Sequence, residues 1–122
     1  MKTLHNRYAS ITPYTTKDAS QIRELMHPRH HANRNQSLAE AIVFPSKTTT
    51  RHCHHQSEEL YFILQGEGLM TLGDEQFLVK PQDTICITPG TPHCIKNTGD
   101  KPLHILCACS PPYSHTDTEL LI

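Results

Sequence analysis

The sequence predicts an all-β fold, a sandwich or barrel of short antiparallel strands. Three observations point to it. Nine prolines and five glycines punctuate the 122 residues, no long stretch keeps a helical period, and the second half alternates β-branched or aromatic runs with turn residues about ten positions apart. The length suits one domain over residues 1–122.

The first third, 1–36, is the least constrained. Asp18 followed by Ile22, Leu25 and Met26 suits a short capped helix, and an edge strand over 22–26 fits equally well. Residues 27–36 are polar and hold His27, His30 and His31, which reads as an exposed loop or a lid. Strands are then expected at 38–44, 48–53, 60–64, 68–72, 76–79, 84–88, 93–97 and 103–109. Gln65-Gly66-Glu67-Gly68, Gly73-Asp74, Lys80-Pro81-Gln82-Asp83, Pro89-Gly90-Thr91-Pro92 and Asn97-Thr98-Gly99-Asp100 supply the turns. The tail, 110–122, opens with Ser110-Pro111-Pro112 and cannot continue a central strand, because two prolines remove ladder donors.

Charge excludes some functions. Eleven basic and twelve acidic residues leave a net charge of -1, so no field of one sign exists to hold nucleic acid or an anionic membrane. The run Leu60-Tyr61-Phe62-Ile63-Leu64 is far below the ~18 apolar residues of a membrane helix, and Met1-Lys2-Thr3-Leu4-His5 opens no signal-peptide core. A soluble, cytoplasmic protein is expected. Five cysteines, an odd count without a Cys-x-x-Cys pair, are expected as free thiols.

The ten histidines carry more information. His52 and His54 stand two apart in an expected strand, so their side chains leave one face about 6.6 Å apart. Glu58 and Glu59 both follow closely, and a carboxylate beside two imidazoles is a sensible ligand set for a divalent metal. His93 follows a Pro-Gly turn at the start of a later strand; strand order leaves its distance from the others open. Cys53 alternates away from the two histidines, whereas Tyr61 and Ile63 share the side of Glu59. Arg51 and Lys96 fall on the faces opposite their neighbouring histidines. Cys107 and Cys109 share a face with Ile105 and make it rich in thiols.

The spacing resembles the cupin family. Ser46, five residues, His52-Cys53-His54, four residues, Glu59, six residues and Gly66 reproduce the first cupin motif. Gln82, five residues, Thr88-Pro89-Gly90, two residues, His93, three residues and Asn97 reproduce the second, after an interval of 15 residues. Ser46 and Gln82 stand where the family has glycine and Thr88 where it has proline; all three lie in turns rather than at metal-ligand positions. A His-x-His pair alone more often marks exposed residues, but the full spacing, over 46–97, reverses that reading.

The resemblance implies a double-stranded β-helix, or jelly-roll, with one divalent metal ion held by His52, His54, Glu59 and His93. It selects Glu59 over Glu58, since only Glu59 has six residues before Gly66. Zinc, nickel, manganese and iron all suit such a set. The expected function is a small-molecule enzyme using the ion as a Lewis acid on a sugar, sugar phosphate or oxo-acid, isomerase-like or a lyase. An Fe(II)-dependent dioxygenase and a non-catalytic ligand-binding module are the alternatives. No catalytic residue is assigned, with Glu58 or a lid histidine the visible acid/base candidates. A homodimer is expected, with the first strands or the tail exchanged between subunits, and neither nucleic acid nor membrane is an expected partner.

Overall fold

A computed structural model describes residues 2–122. Its strands in chain order are β1 (Tyr14–Thr15), β2 (Gln21–Met26), β3 (Ser37–Val43), β4 (His52–His54), β5 (Glu58–Gln65) and β6 (Gly68–Leu72). β7 (Glu75–Val79), β8 (Thr84–Ile87), β9 (His93–Asn97), β10 (Leu103–Ser110) and β11 (Thr118–Leu120) complete them. Two antiparallel sheets result, one in the order β1-β2-β3-β10-β5-β8 and the other β11-β4-β9-β6-β7. This is the expected all-β jelly-roll.

Alternation decides which side chains face inward. Along β5, Glu59, Tyr61 and Ile63 are buried while Glu58, Leu60, Phe62 and Leu64 are exposed, the period of two that a half-buried strand requires. β10 turns Leu103, Ile105, Cys107 and Cys109 the same way, so that Cys109 pairs with Glu59 and Cys107 with Tyr61. From the opposite sheet Met70, Val79 and Ile95 close the core. Fully burying one such aliphatic side chain stabilises the fold by about 1.5–3 kcal/mol.

β9 shows how one strand serves both site and core. His93, Ile95 and Asn97 are all buried on its inner face. Asn97 closes the far end: its Nδ2 donates to the carbonyls of Val43 at 2.9 Å and Lys101 at 2.8 Å, and its Oδ1 accepts from Gly99 N–H at 2.9 Å. A buried amide with its donors and acceptor used fixes the turn after β9.

Three points left by the sequence are decided here. Residues 22–26, open between a helix and a strand, form the strand: β2 pairs along β3 from Gln21 opposite Ile42 to Met26 opposite Leu38, which secures ladder bonds that an isolated short helix would lack. The strand expected at 48–53 is confined to His52–His54, because Thr48 makes only a single bridge with Lys96. The tail, though it leaves the first sheet, contributes β11, which pairs with β4 through Thr118 opposite His54 and Leu120 opposite His52. No helix among the described residues is long and apolar enough to cross a membrane.

The motif turns explain the substitutions. Ser46 and Gln82 both adopt positive φ, 65° and 76°, the left-handed conformation that favours glycine. Gly66, where the motif residue is kept, combines a φ of 89° with a close approach: a Cβ there would lie 2.9 Å from both Leu103 Cα and Pro102 O.

Candidate metal centre

β4 and β9 place three imidazoles together. His52 pairs with His93 across the two strands, and His54 is next on the same face of β4. Ring centroids lie 4.2 Å apart for His52 and His93, 5.1 Å for His52 and His54, and 5.4 Å for His54 and His93. Ligand nitrogens of all three fall within 4.8 Å of one another. The rings are buried, His93 completely.

Hydrogen bonds at the outer ring nitrogens set the tautomers. His52 Nδ1 donates to Thr50 O at 2.7 Å and His93 Nδ1 to Thr91 O at 2.9 Å. His54 Nδ1 lies 2.9 Å from Thr118 Oγ1; that hydroxyl gives its own proton to Ser114 O at 2.8 Å, so it accepts from the ring. With Nδ1 protonated, each neutral ring turns a bare Nε2 lone pair inward. His93 Nε2 is buried with no hydrogen-bond partner.

Glu59 faces these nitrogens from the other sheet. Its Oε1 is 3.1 Å from His54 Nε2 and 3.5 Å from His93 Nε2. Its Oε2 accepts from the Cys109 thiol at 3.3 Å. Burial pushes the Glu59 carboxyl up, but the His54 and His93 rings beside it outweigh that and bring it to about 2. Burial, with His93 beside it, pushes His52 below its ordinary value. An ionised carboxylate and ring nitrogens this close call for a proton or a cation between them. A divalent ion suits that donor set, so the orphaned His93 nitrogen and the outward N–H bonds both fit the expected metal.

The four residues singled out by spacing thus converge. Glu58 is exposed on the reverse face of β5 and does not reach the site, which removes it as the acid/base candidate. Tyr61, Ile105, Cys107 and Cys109 line the cavity under the histidines, as alternation indicated, and Arg51 and Lys96 are exposed. Of the loop histidines, His27 and His30 border a vestibule outside the cavity, while His31 is buried and accepts from His27 N–H at 2.9 Å. Cys53 points away with His55 and Glu119, in a second group of donor atoms on the reverse side of β4.

Several site residues carried no signal in the sequence. Asp18, on the turn between β1 and β2, brings Oδ2 to 3.7 Å from His52 Nε2. Tyr113, from the tail, sets its ring edge-on to His54 at 5.7 Å. Glu24, Tyr14 and Thr118 also line the cavity. All arrive by pairings remote in sequence, unlike the thiol-rich face of β10, which alternation had made visible.

Comparison with known proteins agrees with this architecture. A family profile described as "Cupin domain" matches residues 39–109. An uncharacterized protein of Methanocaldococcus jannaschii, MJ1618, is 56% identical over 121 residues, covering 99% of this chain and 97% of that one. A mannose-1-phosphate guanylyltransferase of Escherichia coli is 33% identical over 79 residues, 65% of this chain but 16% of the enzyme. Among solved structures, Streptomyces Pac13, called a nucleoside dehydratase and solved with uridine, superimposes with a TM-score of 0.80 at 11% identity, covering 99% of this chain and 92% of that one. A Thermotoga maritima protein described as a predicted oxalate decarboxylase gives 0.76 at 24% identity, covering 86% and 96%. At these identities the two structures speak for the fold. The profile match over more than half of the residues and the near full-length relative make this chain a member of the cupin family.

Proposed function

We propose that the protein is a metal-dependent small-molecule enzyme, with one divalent ion held by Nε2 of His52, His54 and His93 and by Oε1 of Glu59. The observation that carries this reading is the outward pinning of all three rings, which leaves three ring nitrogens within 4.8 Å of one another, with Glu59 Oε1 beside two of them. When bound, the ion supplies Lewis-acid polarisation of a carbonyl or hydroxyl oxygen of a sugar-like or oxo-acid substrate. The chain's own residues do the rest. Thr50, Thr91 and Thr118 orient the imidazoles, Cys109 orients Glu59, and the buried wall of Ala41, Val43 and Ile95 excludes bulk water from one side. Tyr113 and Asp18 flank the open side. The Streptomyces structure of similar fold was solved with uridine, a small organic molecule of the size class this reading expects.

The test is elemental analysis of protein purified without a nickel column or chelator, with His52→Ala and His93→Ala alongside. Near-stoichiometric zinc, nickel or manganese that disappears in both variants supports the reading. Iron moves it to oxygen chemistry, checked by oxygen uptake. Metal-free wild-type protein leaves a ligand-binding module. A homodimer forms part of the same proposal: Leu60, Phe62 and Leu64, 42%, 36% and 40% exposed, give β5 an apolar outer face for a second copy to cover. A monomer independent of concentration in sedimentation would refute that part.

A further inference from the structure

We infer that the molecule admitted to this cavity presents a hydrogen-bond donor, a hydroxyl or ammonium group, to Asp18 and Glu24, and that these two carboxylates by themselves favour it over a carboxylate or phosphate head group. The inference builds on the proposed metal centre and narrows what it accepts.

Two carboxylate oxygens in the cavity lack a donor. Glu24 Oε1 accepts from the Tyr14 hydroxyl at 2.8 Å, whereas its Oε2 is buried with no partner. Asp18 Oδ1 accepts from Ser20 N–H at 3.0 Å and from the Ser20 hydroxyl at 2.6 Å. Its Oδ2 faces His52 Nε2 at 3.7 Å, outside hydrogen-bond range and opposite a bare lone pair. Glu59 adds a third carboxylate, and among the described residues no lysine or arginine lines the cavity. Arg29 borders the vestibule beyond Tyr14 and Tyr113.

An acceptor left unsatisfied in a buried site is costly, more so when charged. A ligand that brings N–H or O–H groups removes that cost. One that brings only carboxylate or phosphate oxygens leaves it in place and adds repulsion at these two residues, which only a bound cation offsets.

Asp18 is held in place for this contact. Thr16 N–H donates to Ser20 O at 2.9 Å and Ala19 N–H to Thr16 O at 3.0 Å, closing the turn around Asp18 with Ala19 at a φ of 76°. Thr50 N–H donates to Asp18 O at 2.8 Å, while Thr50 O receives the proton of His52 Nδ1. One residue thus fixes both the carboxylate and the imidazole it faces. The cavity measures about 50 Å³, space for a head group, with the vestibule left for the remainder of the molecule.

The test compares three probes of equal heavy-atom count, ethylene glycol, ethanolamine and acetate, titrated into the full-length protein in zinc-loaded and chelator-treated forms and followed by amide chemical shifts. Binding of either donor probe at least about tenfold tighter than acetate in the chelator-treated form supports the inference, that ratio being about 1.4 kcal/mol. Ethanolamine ahead of ethylene glycol identifies an ammonium ligand, and the reverse order a hydroxyl. Asp18→Asn and Glu24→Gln, checked for an unchanged amide spectrum, should each shrink the gap. Acetate binding as tightly as the donors in the chelator-treated form, no binding by any probe, or a gap unchanged in both variants overturns it. Zinc uptake measured on the same samples separates the two readings: protein that takes up no zinc defeats the metal centre, while the ranking in chelated protein still decides the donor preference.

Discussion

His54 Nδ1 and Thr118 Oγ1 are 2.9 Å apart although 64 positions separate them in the chain. The pair ties the C-terminal tail to the candidate metal site: β11 lies against β4, and the Thr118 hydroxyl donates to Ser114 O. The hydroxyl therefore has one role open towards the ring, that of acceptor, and it holds His54 in the tautomer that turns Nε2 inward.

Thr118→Val keeps the shape of this contact and removes its acceptor. Metal affinity should fall about 10–100-fold, read by competition with a chelating indicator, while Thr118→Ser should stay near wild type. Equal affinity for Thr118→Val would show that the tail covers the site without orienting it.

Glu59 and Glu58 are adjacent and chemically identical, yet they face opposite sides of β5. Glu59→Gln should remove most of the metal retained through gel filtration, and Glu58→Gln should leave it unchanged. Loss in both variants, or in neither, contradicts the ligand assignment.

Cys109 is held protonated, because burial and the neighbouring Glu59 charge push its thiol far above its ordinary value. It is thus a standing donor to Glu59 Oε2. Cys109→Ala should weaken metal binding by about tenfold or more. In the native protein an aromatic disulfide reagent should reach exposed Cys86 at once and leave buried Cys107 and Cys109 unmodified until unfolding.

The motif turns give opposite predictions for one substitution type. Ser46→Gly and Gln82→Gly, at positions already left-handed, should each raise stability by about 0.5–1 kcal/mol, since relief of the conformational penalty exceeds the added chain entropy. Gly66→Ala should lower it by about 2–4 kcal/mol, because strained backbone and contact with Leu103 Cα and Pro102 O add together. Thermal denaturation checks all three; a stabilised Gly66→Ala would mean that the β5–β6 turn relaxes.

The sequence by itself determined the strands of the second half and the four residues that meet beneath the barrel mouth. Side chains in a strand alternate sides, so period two selects Glu59, Tyr61 and Ile63 for the interior, and the spacing of His52, His54, Glu59 and His93, through its resemblance to the cupin motifs, marks them as one set. Tertiary structure decided what surrounds them. Asp18 and Glu24 come from the β1–β2 hairpin, Thr118 and Tyr113 from the tail, and Cys109 meets Glu59 through the register of β10 on β5. Whether residues 22–26 coil or extend was likewise open until β3 offered ladder partners. Local periodicity fixes the face on which a side chain lies. Which faces meet depends on hydrogen-bonded pairings between distant segments, and no period within either segment records them.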